Sequence, residues 1–433
     1  MWNFSTEPAF QEKLDWMADF VRTECEALDL VFPEHGAPYD VTNARYRSIV
    51  RPLQDIVRAQ GLWACHLGPE LGGPGYGQVK LGLMNEILGR SYWAPTVFGT
   101  AAPDTGNSEI LAMFGTWEQK VRFLEPLLAG EIVSCFSMTE PQAGADPREF
   151  VCRAYRDGDE WVIEGEKWFS SSARFASFFI VMAVTDPDAP ISRRMSMFVV
   201  PAETPGINIL RNVALGTQKF GMDGNHAYIR YEKVRVPLDA MLGGPGEGFK
   251  VAQARLGGGR VHHAMRTVGK CRRALEMMIE RANSRRAHGR PLADHQFVQG
   301  MIADSTVELE QFRLLVLYTA WVIDTQPHGA ARKLIAMCKV QMPKVYHDIV
   351  QRAVQLHGSL GVSNELPLMA MAVQAAEMAL ADGPTEVHKV QIAKAMLKDG
   401  PQAPGLFPSE HIPARLEQAC KHFGLTADVC VED

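Results

Sequence analysis

Apolar residues change their spacing twice along this chain of 433 residues. Near the start they recur every three, four or seven positions, which is typical of an amphipathic helix, at Phe10, Leu14, Met17, Val21 and Leu28. Between about 133 and 240, short apolar runs are separated by Pro, Gly and Asp turns, which is typical of antiparallel strands. From 245 to about 400, the helical spacing returns in four long stretches.

These changes divide the chain into three predicted domains, in keeping with about 150 residues per domain. We predict an N-terminal α-helical domain over 1–132 and a middle antiparallel β-barrel or sandwich domain over 133–244. A C-terminal four-helix bundle domain should follow over 245–400, with a C-terminal tail over 401–433. The expected fold class is therefore α+β.

Charge and composition exclude several classes of protein. The 44 Lys and Arg residues are outnumbered by 50 Asp and Glu, and the net charge of −6 argues against a nucleic-acid binder. No run approaches the ~20 apolar residues of a membrane span, and the acidic N-terminal segment resembles neither a signal peptide nor a transit peptide. We therefore expect a cytoplasmic protein. The eight cysteines form no C-x-x-C pair and the histidines lack metal-ligand spacing, so we expect reduced thiols and no metal site.

Two segments of the middle region are candidates for chemistry. In 135–146, a strand runs into a turn of small side chains, which lets backbone N–H groups approach an anion or a planar ring. A plain strand end is the alternative. In 165–172, Trp168 and Phe169 precede three serines, a set that can stack on a ring system and hydrogen-bond its edge. Such aromatics are also common in a strand core, so that alternative stays open.

Two segments of the C-terminal region are candidates as well. Ten Lys and Arg residues and only two acids lie between Arg255 and Arg290, a run that can hold phosphates, bind acidic partners or form a solvated helix face. In 381–388, either Asp382 or Gly383 is the N-cap of a helix with Pro384 in its first turn, or the Asp382 carboxylate is a general base beside backbone N–H groups. Local spacing favours the cap.

Taken together, these segments resemble the acyl-CoA dehydrogenase family of flavoproteins. Thr139-Glu140-Pro141 resembles the flavin loop of the family's middle domain, and 165–172 is similar to its G-x-K-W strand. The block 285–290 resembles its R-x-x-F-G turn, with His288 where Phe is common, and 353–361 resembles its A-x-Q-x-x-G-G-x-G helix end. Three further blocks resemble the branch of the family whose catalytic base is Asp: 102–107, 255–263 and 381–384. Some relatives carry the base on an earlier helix, but Gly259 occupies that place here.

The resemblance implies FAD as the cofactor. Phe169 would pack on the isoalloxazine and Arg285 would pair with the pyrophosphate, while Ser171 and Thr139 would bond the polar edges of the ring. The implied cofactor contacts are Phe136, Met138, Thr139, Gly144, Ala145, Phe169, Ser170, Ser171, Arg285, His288, Gln296, Gln355, Gly358, Pro384 and Glu386. In the family, Gln355 and Gly358 reach the cofactor of a neighbouring subunit, so the resemblance implies a homo-oligomer, either a dimer or a tetramer.

The resemblance also implies a reaction, the FAD-dependent α,β-dehydrogenation of an acyl-CoA thioester to the trans-2-enoyl-CoA. Asp382 would remove the α-proton, and electrons would pass to an electron-transfer flavoprotein. The implied substrate contacts are Ala145, Asp146, Arg260 and Gly383. Pro384, Glu386 and Ala145 depart from the residues that are common in the family, which are a hydroxyl residue, Gln and Ser respectively.

Two alternatives stay open at this point. Relatives that use an Asp base include nitroalkane-type oxidases, which would consume O₂ and ignore CoA. A non-catalytic protein that binds flavin or CoA is the second alternative, which an intact Asp382 disfavours. The sequence does not specify the length, branching or hydroxylation of the acyl chain. The small Ala381 beside the base leaves room for a wide or substituted one.

Overall fold

The computed structural model describes residues 5–216, 224–327, 329–403 and 405–425. Its N-terminal part is helical, as predicted. The helices are α1 (Pro8–Phe20), α2 (Glu26–Val31), α3 (Ala44–Ala59), α4 (Gly77–Leu88), α5 (Ala94–Val97), α6 (Asp104–Phe114), α7 (Trp117–Gln119) and α8 (Glu125–Leu128). A π-helical turn, Val21–Cys25, joins α1 to α2. The predicted apolar stripe therefore continues through both helices and is buried along its length.

The middle part forms one eight-stranded sheet. Its strands are β1 (Ser134–Ser137), β2 (Arg153–Asp157), β3 (Glu160–Ser171), β4 (Phe178–Val184), β5 (Met195–Pro201), β6 (Ile207–Val213), β7 (His226–Pro237) and β8 (Met241–Leu242). The order is β6-β7-β3-β2-β4-β5-β8, with β1 beside β4. The predicted hairpin is confirmed, since β2 and β3 pair antiparallel around a turn in which Gly158 has φ +63°.

The sheet is mixed rather than wholly antiparallel. β1 and β2 each pair with β4 in parallel, whereas the remaining pairs are antiparallel. A parallel pair needs a long connection, and here the β2–β3 hairpin lies within the connection from β1 to β4. The spacing of strands along the sequence does not reveal that two strands separated by a hairpin pair in parallel. All seven residues of β4 are buried, in keeping with its place inside the sheet.

The C-terminal part is again helical. A short hairpin of β9 (Arg286–Ala287) and β10 (Arg290–Pro291) separates the first two long helices. The helices are α9 (Gly248–Ser284), α10 (Gln296–Thr325), α11 (Arg332–His357), α12 (Leu368–Met378), α13 (Thr385–Lys398) and α14 (Ile412–Phe423). The fourth predicted stretch is thus two helices, α12 and α13, because the chain turns between them.

Three buried clusters hold the fold together. The largest joins the N-terminal helices to α9, α10, α11 and α12, and it includes Phe98, Phe312 and Tyr346. A second lies between α6, the start of α9 and one face of β4 and β5, and a third fills the other face of the sheet. The long helix α9 contributes to the first two, so it spans the contact between the helical parts and the sheet. The α+β fold is confirmed, while the predicted domain bounds stay a prediction.

Some expectations concern groups outside the fold itself. None of the helices within the described ranges is long and apolar enough to cross a lipid bilayer. In the same part of the chain, no cluster of three or more His, Cys, Asp or Glu side chains is placed to hold a metal ion. The expectation of reduced thiols is wrong for Cys420, which is disulfide-bonded. Six other cysteines are free and buried: Cys25, Cys65, Cys135, Cys152, Cys271 and Cys338.

Candidate active site

Asp382 lies in a left-handed turn between α12 and α13. Its φ is +56° and that of Gly383 is +101°, a region that L side chains rarely adopt. Helix α13 begins after Pro384, which is its N-cap and supplies no side-chain cap. The interpretation of Asp382 or Gly383 as the N-cap is therefore wrong, because the turn places both residues before the capping position. A non-glycine residue at positive φ costs about 1–3 kcal/mol, so surrounding contacts must fix this turn.

Two cations on neighbouring helices hold the turn. Lys339 Nζ, on α11, donates to Met378 O at 2.8 Å and to Ala381 O at 2.6 Å, and only 1% of Lys339 is exposed. Arg260 Nε, on α9, donates to Asp382 O at 2.8 Å. Charge-assisted hydrogen bonds therefore satisfy carbonyls that the end of α12 leaves without helical partners.

The Asp382 carboxylate faces a gap in the side of α9. A Cβ added to Gly259 would lie 3.0 Å from Asp382 Oδ2, so a larger residue there would push the carboxylate away. His263, one turn further along α9, has its Nε2 atom 3.6 Å from the same oxygen. The absence of a side chain at Gly259 therefore makes room for the carboxylate beside α9, where it lies next to His263.

Neighbouring charges keep Asp382 ionised. Burial alone would raise the pKa of Asp382, but the interaction with His263 and the charges of Arg255, Lys339 and Arg260 lower it below its usual value. Burial also lowers the pKa of His263 to about 3, so this ring is neutral at neutral pH. Burial lowers the pKa of Lys339 to about 8, which leaves it charged. The positive charge beside Asp382 is therefore supplied by the two arginines and Lys339.

A second carboxylate, Glu109 on α6, approaches the same helix. A Cβ added to Gly258 would lie 2.8 Å from Glu109 Oε2. Burial raises the pKa of Glu109 to about 7, although the charge of Arg255 opposes the shift. Arg255 Nε donates to Asn107 Oδ1 at 2.8 Å, and its guanidinium lies 4.0 Å from the centre of the Phe136 ring. Arg255 thus links α9 and α6 to the strand that carries Phe136.

The loop after β1 is anchored by a buried ion pair. Lys167 Nζ lies 2.7 Å from Glu140 Oε1 and donates to Met138 O at 2.7 Å, and both charged side chains are fully buried. The Glu140 carboxylate also accepts from Val151 N at 2.7 Å and Cys152 N at 3.1 Å. The Glu of the T-E-P step and the Lys of the G-x-K-W strand therefore fix the loop that begins with Met138.

The end of β3 presents an aromatic ring and a hydroxyl. Phe169 has φ +50°, lies at an irregularity in the pairing with β7, and is 39% exposed. Ser170 is buried and its Oγ lies 2.9 Å from Ser137 Oγ, so its hydroxyl points into the sheet. Ser171 Oγ lies 2.8 Å from Nδ1 of His226, a residue that the sequence analysis did not identify.

The loop and strand together fit a planar ring with a polar edge. Trp168 N donates to Thr139 O at 3.0 Å, which holds the loop against β3. Phe136, Met138 and Thr139 are half-buried, and a Cβ added to Gly144 would meet no atom within 4 Å. An exposed aromatic ring, a nearby hydroxyl and open space beside Gly144 can together stack on an isoalloxazine and hydrogen-bond its polar edge.

Other predicted cofactor contacts lie at exposed ends of the helical bundle. Arg285 follows α9, His288 has φ +51° in the β9–β10 turn, and Gln296 begins α10, so these three share one connection. All three are exposed. Gln355 and Gly358 are exposed where α11 ends, and Gly358 has φ +64°. Their cofactor roles stay predictions.

The remaining predicted contacts lie either in the loop after β1 or beside the turn that carries Asp382. Ala145 is exposed, and the neighbouring Asp146 accepts from Arg148 Nε at 2.8 Å. This contact, together with the bond from the Arg148 backbone N–H, lowers the pKa of Asp146 to about 2. Glu386 is exposed in the first turn of α13. Asp146 therefore has a local partner, whereas Ala145 and Glu386 stay accessible.

Three family models match the chain in the order of its structural parts. The N-terminal, middle and C-terminal domains of acyl-CoA dehydrogenase match residues 15–131, 135–234 and 246–397. These matches cover most of the chain, so it belongs to the acyl-CoA dehydrogenase family. It is therefore an oxidoreductase whose cofactor is FAD.

Individual relatives support the same conclusion. The chain is 41% identical over 401 residues to the probable acyl-CoA dehydrogenase FadE2 of Mycobacterium tuberculosis, with 91% of this chain and 93% of that protein covered. It is 41% identical over 356 residues to human acyl-CoA dehydrogenase family member 11, a match that covers 81% of this chain and 45% of that protein. A putative acyl-CoA dehydrogenase from Mycobacterium abscessus superimposes with a TM-score of 0.83 at 38% identity, covering 91% and 99% of the two chains.

Proposed function

We propose that this chain catalyses the FAD-dependent α,β-dehydrogenation of an acyl-CoA thioester to the trans-2-enoyl-CoA, with Asp382 as the base. The observation that supports this most directly is the Asp382 carboxylate, which is not used as a helix cap and faces the gap left by Gly259. Because Arg255, Arg260 and Lys339 favour its ionised form, Asp382 is a carboxylate at neutral pH, which is the protonation state that a general base requires.

Substrate binding would raise the pKa of Asp382 and so make it a stronger base. A free Asp has a pKa of about 3.9 and is a weak base at neutral pH. The Asp382 side chain is 16% exposed, so a thioester seated against α9 would remove its remaining water. Loss of that solvation raises the pKa of Asp382 toward the range in which a general base is efficient. Arg260 would meanwhile hold the backbone of Asp382, which keeps the carboxylate in position while it takes the α-proton.

Residues of β3 and the α9–α10 connection would hold the cofactor. When bound, FAD supplies the acceptor for the hydride that leaves the β-carbon. We assign Phe169 to the face of the isoalloxazine, and Ser171 and Thr139 to its polar edges. Arg285 would pair with the pyrophosphate, since a guanidinium makes strong bidentate contacts with phosphate oxygens.

The partners in this proposal are an acyl-CoA, an electron-transfer flavoprotein and a second copy of the chain. A homo-oligomer, either a dimer or a tetramer, is supported by Gln355 and Gly358, which are exposed at the end of α11 and resemble residues that reach the cofactor of a neighbouring subunit in the family. A cytoplasmic location belongs to the same proposal.

The test is anaerobic mixing of the purified, FAD-loaded protein with a panel of acyl-CoA esters, followed by absorbance of the flavin. We expect at least one ester to bleach the flavin, and an electron-transfer flavoprotein to restore its colour. Oxygen uptake with a nitroalkane and no CoA ester would instead identify an oxidase. If no ester bleaches the flavin and no oxygen is consumed with a nitroalkane, the protein is not a catalyst of either reaction, and the proposal is contradicted.

A further inference from the structure

One side of α9 leads from the base to a second pair of charges. Gly259, His263, Arg266 and Lys270 recur every three or four positions, so their side chains lie on the same side of the helix. Gly259 lies against the Asp382 carboxylate at one end of this row. Lys270 lies about three helical turns, or about 16 Å, further along the helix axis. An acyl chain that follows α9 away from the base therefore approaches Lys270.

Lys270 and Glu377 carry opposite charges but do not form an ion pair. Lys270 Nζ donates to Gln374 Oε1 at 2.8 Å, and it contacts no carboxylate among the residues that the structure describes. Glu377 lies on α12, and its carboxylate has neither a hydrogen bond nor an ion pair within the described part of the chain. The charges of Lys270 and Asp382 nevertheless both act on Glu377. The two groups therefore lie near each other and near the base without being in contact.

These side chains line a cleft that solvent enters. Burial lowers the pKa of Lys270 to about 8, raises that of Glu377 and raises that of Tyr39 to about 12. Each of the three nevertheless keeps part of its surface exposed. The charge of Glu377 acts on Tyr39, and the charges of Asp382 and Lys270 both act on His263. The cleft therefore extends from the base to Lys270 and Glu377.

The cleft lies away from the residues assigned to FAD. None of those residues lies on α9 or α12, the two helices that carry Lys270 and Glu377. In the proposed function, the base and the flavin lie on opposite sides of the acyl chain. The part of the cleft beyond Asp382 is therefore left for the acyl chain.

An acyl chain in this cleft would displace the water that solvates Lys270 and Glu377. A plain alkyl end offers neither group a hydrogen bond, and a charge that loses water without gaining a partner is destabilised. A hydroxyl can accept from Lys270 and donate to Glu377 at the same time. We propose that Lys270 and Glu377 select an acyl-CoA whose chain carries a hydroxyl at its far end. The inference rests on the proposed function, because Asp382 as the base fixes where the thioester lies.

The experiment compares matched pairs of esters in the FAD-loaded protein: octanoyl-CoA with its ω-hydroxy derivative, and dodecanoyl-CoA with its own. Stopped-flow absorbance without oxygen gives the second-order rate constant of flavin reduction. In at least one pair, we expect the hydroxyl ester to react about 10- to 100-fold faster with wild type, as expected for a hydrogen bond to a charged group. The double variant Lys270→Met, Glu377→Leu replaces both charges by apolar side chains, so it should prefer the plain ester.

A closed ion pair on the same helix provides a matched control. Arg272 lies on another side of α9, where its guanidinium is 2.7 Å from Glu86 Oε1. Arg272→Met also removes one positive charge from α9, but not from the cleft. This variant should keep the wild-type ratio of the two rate constants.

The comparison in wild type decides the inference even if the double variant does not fold. Plain esters that react as fast as their hydroxyl partners, or faster, would overturn it. A folded double variant that keeps the wild-type preference would overturn it as well, and so would an ω-carboxy ester that reacts faster than the ω-hydroxy ester. A wild-type flavin that no acyl-CoA ester reduces would instead overturn the proposed function, and the inference with it.

Discussion

Replacing Lys167 by methionine should destabilise the loop that begins with Met138 and weaken FAD binding. Methionine has a similar length, so the main change is the loss of a positive charge that lies 2.7 Å from Glu140 Oε1. Glu140 cannot turn toward solvent, because it also accepts from Val151 N and Cys152 N. Removing one partner of a fully buried pair costs about 3–5 kcal/mol, since the other charge is left uncompensated.

The assay is urea unfolding followed by circular dichroism, together with FAD titration by fluorescence. Lys167→Met should lower the unfolding free energy by about 3–5 kcal/mol, and adding Glu140→Gln should restore part of it by removing the unpaired charge. Arg235→Met is the control in the same sheet, because Arg235 pairs with Asp157 at 2.6 Å and with Glu160 at 2.9 Å, where all three side chains are about half exposed. Exposed pairs contribute about 0–1 kcal/mol. If Lys167→Met costs no more than this control, the buried pair does not anchor the loop.

Three further predictions concern the base and the cofactor. Gly259→Val should abolish flavin reduction but retain FAD, because a Cβ there would lie 3.0 Å from Asp382 Oδ2. The control Gly257→Val should stay active, because a Cβ at Gly257 meets nothing within 4 Å. Arg285→Ala should raise the Kd for FAD about 10- to 100-fold through loss of one charge-assisted contact, measured by fluorescence titration; an unchanged Kd would remove Arg285 from the cofactor site. Burial lowers the pKa of Lys339 from 10.5 to about 8, so its protonation is unfavourable for folding below pH 8 and this penalty is relieved as the pH rises toward 10.5. The difference in urea midpoint between wild type and Lys339→Met should therefore be larger, in favour of wild type, at about pH 9.5 than at about pH 7. A difference that becomes smaller over this pH range would contradict the prediction.

The sequence predicted the elements whose pattern is local. The helical spacing of Phe10, Leu14 and Met17 and the hairpin around Gly158 both appear in the structure. The break that splits α12 from α13 was not predicted, because it depends on Asp382 and Gly383 adopting positive φ. Contacts across the chain stabilise that backbone, and apolar spacing carries no information about them.

The candidate site was predicted only in part, because some of its contacts also join residues that are far apart in the sequence. Motif resemblance identified Asp382, Phe169 and Ser171, but it missed Lys339, which is separated from Ala381 by 42 positions and holds its carbonyl. One signal was present, since Lys339 lies on the buried stripe of α11 together with Met342 and Tyr346. A lysine among apolar residues at helical spacing indicates a buried charge with a specific partner. His226 offered no such signal, because only strand pairing places it beside Ser171.

The central claim is that Asp382 is the catalytic base, and the rate of flavin reduction in Asp382→Asn tests it most directly. Asparagine preserves the size of the side chain, and it tolerates the left-handed conformation observed at Asp382. The variant should therefore retain FAD and bind acyl-CoA as wild type does. Stopped-flow absorbance with a good acyl-CoA substrate should show reduction slowed by about 10²- to 10⁴-fold, as expected for removal of a general base. Reduction at a near-normal rate would contradict the mechanism and direct the search to Glu386, the next carboxylate along the chain.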